Sequence, residues 1–66
     1  MDLRKVIAEA TKQGWRVKQT TAGYMLYPPD RTLGPVAVHH TPSDHRAVRN
    51  FKAEMTKRGF RWPGGV

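Results

Sequence analysis

In the first segment of the chain, apolar positions recur three, four and seven residues apart. Leu3, Val6, Ile7 and Ala10 share one face of a helix at about 100° per residue. Asp2 precedes them as an N-cap, its carboxylate able to accept from a first-turn N–H that has no helical partner. Lys12 suits the last turn, and Gly14 stands where a helix C-terminal glycine belongs. The spacing therefore predicts a helix from Leu3 to Gln13. The period then changes to two. Trp15-Arg16-Val17-Lys18-Gln19 alternates apolar and basic residues, the pattern of a half-buried strand with Arg16 and Lys18 facing out. Thr20 to Gly23 form a tight connection. Tyr24-Met25-Leu26-Tyr27 make a second strand, stopped by Pro28-Pro29-Asp30 because proline cannot donate to a ladder. Arg31 to Pro35 read as a loop and Val36-Ala37-Val38-His39 as a third strand. Such short connections favour an antiparallel meander.

A second helix opens at Pro42-Ser43-Asp44, with Ser43 as its expected N-cap and Asp44 in the first turn at the positive end of the helix dipole. Ala47, Val48, Phe51 and Met55 make its apolar stripe. His45, Arg46, Arg49, Lys52 and Lys57 fall on the other side, with Asn50 and Thr56 among them. Gly59 ends the helix near Arg58. The expected class is α+β, in the order α-β-β-β-α, with both helices on one face of a three-stranded antiparallel sheet. Leu3, Val6, Ile7, Val17, Leu26, Val36, Val38, Val48, Phe51 and Met55 would form the core. A single domain is expected over residues 1–60, followed by a short tail, 61–66. The opposite sheet face, with Arg16 and Lys18, would stay open to solvent or to a partner.

Composition narrows the chemistry. The chain has 66 residues, 38% of them hydrophobic, and no cysteine, so its small core has no disulfide or thiolate–metal staple. Histidines and carboxylates alone would have to supply every ligand of a structural zinc, and no metal or cofactor is expected. No apolar run approaches the roughly 18 residues of a membrane span, and no signal-peptide pattern opens the chain. The expectation is a soluble, cytoplasmic protein. Twelve Lys and Arg against five Asp and Glu leave a formal charge of +7. An excess that large favours an anionic partner, nucleic acid first. A membrane surface fits less well, because no helix combines a Trp/Phe/Leu face with a lysine-rich one.

The first helix ends in Gly14-Trp15, and Tyr27-Pro28-Pro29-Asp30-Arg31 closes the second strand. A Thr41-Pro42-Ser43-Asp44 turn then leads from the third strand into a helix bearing arginines. In this order and spacing, from about Leu3 to Gly59, the chain resembles the HicA family of small toxins, mRNA interferases with a double-stranded-RNA-binding-like fold. The resemblance implies a partner in double-stranded or structured RNA, and an antitoxin protein. It also implies a catalytic histidine at the start of the second strand, in a Gly-Ser-His-like motif. This sequence has Ala22, Gly23 and Tyr24 there, so that residue is missing and the family's usual nuclease mechanism does not carry over.

Three histidines lie close together in sequence, His39, His40 and His45. Metal-independent RNA cleavage needs a base for the 2′-OH, an acid for the leaving 5′-oxygen and cationic help on the phosphate. An unperturbed imidazole titrates in the useful range, and Arg46 and Arg49 could clamp a phosphate through two N–H groups each. In an alternating strand His39 and His40 point to opposite faces, so at most one can join a site with His45. Alternatively, one histidine packs at the sheet edge while the others are solvated or touch phosphate. Trp15 is expected to close the core under the first helix. Trp62 either covers one end of the core or, with Arg61, forms a protein-binding patch. Met25 and Tyr27 can join Arg16 and Lys18 to stack bases on the open sheet face, or one tyrosine can pack as a half-buried edge residue. The leading expectation is RNA binding through Arg46, Arg49, Lys52 and Lys57, with Arg16 and Lys18 extending the same surface. Its rivals are a ribonuclease using a relocated histidine and a small phage or mobile-element protein that binds a host protein.

Overall fold

A computed structural model describes residues 2–40 and 44–63. Its elements are α1 (Leu3–Lys12), β1 (Arg16–Gln19), β2 (Gly23–Tyr27), β3 (Val36–His39) and α2 (His45–Lys57), so the fold is α+β in the order α-β-β-β-α. The strands pair in chain order, β1 antiparallel to β2 and β2 antiparallel to β3. Register assigns the two faces. Val17 lies opposite Leu26 and Leu26 opposite Val36, while Tyr24 joins Gln19 to Val38. That row turns toward the helices, and Leu26, Val36 and Val38 are buried with Leu3, Val6 and Ala10 of α1 and Phe51 and Met55 of α2. Arg16, Lys18, Met25, Tyr27, Ala37 and His39 alternate with it and point the other way. The result is two layers, with helices over one face of the sheet and nothing from the described residues over the other.

Both helices are closed by the same device. Gly14 and Gly59 adopt positive φ, 90° and 89°. At α1, Gly14 N–H donates to Thr11 O at 3.1 Å and Trp15 N–H to Ala10 O at 2.9 Å. At α2, Gly59 N–H donates to Thr56 O at 3.0 Å and Phe60 N–H to Met55 O at 3.1 Å. These paired bonds satisfy carbonyls that the helix leaves unpaired and reverse the chain sharply. The next residue is aromatic in each case, and the reversal drives it inward. Trp15 and Phe60 are both 4% exposed, and their rings meet edge to face at 5.9 Å. One helix-stop rule applied twice thus places two aromatics in the core and brings them together.

The core departs from expectation in several places. Trp15 closes it as expected, but Ala10 and Phe60 also belong to it, whereas Ile7 and Val17 are partly buried at its border. Val48 is only half-buried and Ala47 is exposed. The cause is sheet order: β3 is an edge strand, no further strand of the described residues lies beyond it, and Ala47 opens onto a groove beside Val36 and Val38. The start of α2 also differs. Asp44, with extended φ and ψ of −96° and 126°, is the N-cap, its Oδ1 accepting from Arg46 N–H at 2.9 Å. A carboxylate one residue before the helix reaches the second helical N–H, which a residue inside the first turn does not. Ser43, the expected cap, lies outside the described residues, as do Thr41 and Pro42. Asp2 caps α1 in the same manner, with Arg4 N–H at 3.1 Å.

The segment after α2 folds back. Gln13 Nε2 donates to Arg61 O at 2.6 Å, and Arg61 N–H donates to Gln13 Oε1 at 2.8 Å. Trp62 covers one end of the core, with ring centroids 4.5 Å from Phe60 and 6.5 Å from Phe51. Its indole N–H donates to Thr56 Oγ1 at 2.9 Å.

Candidate nucleic-acid interface

The outer side of α2 is set by the packing of its inner side. With Phe51 and Met55 buried, His45, Arg46, Arg49, Lys52 and Lys57 lie on the solvent side and are all exposed. Arg46, Arg49 and Lys52 follow at intervals of three, a row rising roughly 4.5 Å per step. Among the described residues the only ion pair joins Glu54 to Arg58, so none of these cations is neutralised by a carboxylate within salt-bridge distance. The exception has a structural task. Arg58 donates through Nε to Gly34 O at 2.7 Å and through Nη1 to Glu54 O at 3.0 Å, tying the end of α2 to the loop before β3. The Arg58 guanidinium, by its hydrogen bond, holds the Glu54 carboxyl below its ordinary pKa. Lys52 lies over the Trp62 ring, 5.8 Å from its centroid, and the flank of the cationic face is therefore aromatic.

His39 and His40 leave the end of β3 on opposite sides, so the three histidines do not share one face. His39 is exposed on the open sheet face, cross-strand from Gly23. A Cβ on Gly23 would fall 1.9 Å from Val38 O and 2.7 Å from His39 Cα, so glycine is what lets β3 lie this close. His40 turns the other way and meets the Tyr24 ring edge to face at 4.9 Å. His45 is the first residue of α2. Among the described residues there is no group of three His, Asp or Glu side chains that could hold a metal ion.

Arg16 and Lys18 do not extend the α2 surface. They project from the face of the sheet opposite the helices, because Val17 between them turns toward the core. Sign of charge groups them with Arg46, Arg49 and Lys52, but strand alternation puts them on the open face, and the layered packing keeps the two basic surfaces apart. Arg16 and Lys18 line a depression of about 700 Å³ with Tyr27, Pro28, Pro29, Arg31 and Leu33. Arg31 and Leu33 belong to the loop between β2 and β3. Asp30 curls that loop back, its Oδ1 accepting from Thr32 N–H at 2.9 Å and from Thr32 Oγ1 at 2.6 Å. These bonds, the hydroxyl's first, keep the Asp30 carboxyl below its ordinary pKa. The Asp30-Arg31-Thr32 run is the local signal that could have revealed the turn, since Asp commonly bonds the backbone two residues on.

Comparison of the chain with protein-family models, curated proteins and solved structures yields no match. Among the described residues no helix is long and apolar enough to cross a membrane.

Proposed function

We propose that this is a small cytoplasmic RNA-binding domain of the HicA-like, double-stranded-RNA-binding-like kind, without the family's usual nuclease site. Arg46, Arg49, Lys52 and Lys57 contact the phosphates of double-stranded or structured RNA, with His45 at the head of the row. The observation that carries the reading is the outer face of α2: its cations are exposed and lack carboxylate partners, while the helix's one acid, Glu54, is taken up by Arg58. A surface displayed for solubility alone would mix both signs. Binding of this kind follows shape and phosphate spacing rather than base identity.

The test is affinity for a short RNA duplex across a salt series. A log–log slope of about −0.9 for each phosphate neutralised is expected, so three or four contacts give a steep loss. A flat salt dependence sinks the reading. RNA that is cut, with cutting abolished by His39→Ala, His40→Ala or His45→Ala, would instead support the ribonuclease alternative.

A further inference from the structure

We propose that the open face of the sheet is a second binding site, one that takes unpaired nucleotides, with a base on Tyr27 and phosphates on Arg16, Lys18 and Arg31. Among the described residues the large hydrophobic side chains left exposed are Tyr27, at 38%, and Leu33, at 37%. Both line the same depression, together with three cations and no carboxylate. Asp30, the nearest acid in sequence, has its Oδ1 turned onto Thr32 rather than onto Arg31. None of the three cations forms an ion pair, since Glu54–Arg58 is the only pair among the described residues.

The combination selects the ligand. Inorganic phosphate or an acidic peptide would use the cations and leave Tyr27 and Leu33 in water. An apolar protein surface would cover those two and bury three cations without counter-charge, which is costly. A base with its face free satisfies both halves, stacking on the phenol ring while the adjoining phosphates meet guanidinium groups. Duplex RNA keeps its base faces stacked inside the helix, so the strand here must be single. Arg16 lies directly across from Tyr27 on the neighbouring strand, which sets a charge beside the ring. Because this face lies on the opposite layer from α2, the site does not depend on the duplex-binding reading.

The experiment measures anisotropy of a labelled single-stranded oligouridine of roughly eight nucleotides. Tyr27→Ala should weaken binding about tenfold, as loss of one stacked base does, while Tyr27→Phe stays within about twofold. Arg31→Glu should weaken it as well, and Arg49→Glu should leave it nearly unchanged. Thermal melts confirm that each variant is folded, as expected for exposed side chains. Wild-type affinity in both Tyr27→Ala and Arg31→Glu overturns the proposal, as does a folded protein that binds no single strand, including one that captures a protein through Tyr27. Single-strand binding that needs Tyr27, in a protein that ignores duplex RNA, upholds this site and removes the α2 reading instead.

Discussion

The outer face of α2 and the open face of the sheet carry the same sign of charge in different company. On α2 the cations stand in a row on a rigid helix, and the neighbouring aromatic, Trp62, is held by Thr56, Phe51 and Phe60 as part of the core cap. On the sheet the cations surround Tyr27 and Leu33, which nothing covers among the described residues. Charge alone attracts any polyanion and positions it. Charge beside an uncovered ring asks in addition for a flat apolar partner. The two faces are thus expected to differ in what they hold, not only in how strongly.

The sharpest way to break that comparison is charge reversal on one face only. Arg46→Glu with Arg49→Glu should cut duplex affinity by about 100-fold at low salt, because two phosphate contacts become repulsions. Single-strand affinity should hardly move in the same variant. Equal losses on both probes, read by anisotropy, would merge the faces into one surface.

A smaller effect should strike both faces together. Gly59→Val forces a β-branched residue into the positive φ that turns Phe60 inward, at a cost of about 1–2 kcal/mol. Denaturant melts should show the loss, and both RNA affinities should fall only where the protein begins to unfold. Unchanged stability would mean that the aromatic closure at the end of α2 matters less than its geometry indicates.

The smallest effect separates the faces by pH. Asp30 has its pKa lowered by the Thr32 bonds, so those bonds add stability above the ordinary carboxylate value and lose it as pH falls through the lowered one. As pH falls below the ordinary carboxylate value and through the lowered one, the loop carrying Arg31 and Leu33 should loosen progressively, seen as a shift of the Thr32 amide resonance. α2 should remain formed over the first part of that fall. A Thr32 amide that does not respond to acid would detach Arg31 from the control assigned to Asp30.

Much of the frame was legible locally. The change of period from helix to strand at Gly14-Trp15, the proline stop after Tyr27, and Gly59 as the end of α2 all act over a few residues, and the elements form where those rules place them. The opposite orientations of His39 and His40 followed from alternation in the same way. The candidate interface was less legible. Membership of the α2 row was readable from 100° steps, but Arg58, equally basic, turned out to be committed to Gly34 and Glu54. Arg31 and Leu33 were missed because a loop has no period to reveal which way its side chains face.

By itself, then, the sequence determined the order of elements, both helix stops, the two faces of each strand and the cationic side of α2, because each depends on neighbours within about a helical turn. Only the tertiary structure decided that Phe60 and Trp62 return to cap the core, that Gln13 clamps Arg61, and that Arg31 and Leu33 of the loop after β2 join Arg16 and Lys18 around one depression. Those outcomes join residues far apart in the chain, 48 positions in the case of Gln13 and Arg61. No local pattern encodes such a contact. It exists because packing both helices on one face of the sheet buries the apolar rows together and leaves the two basic surfaces back to back.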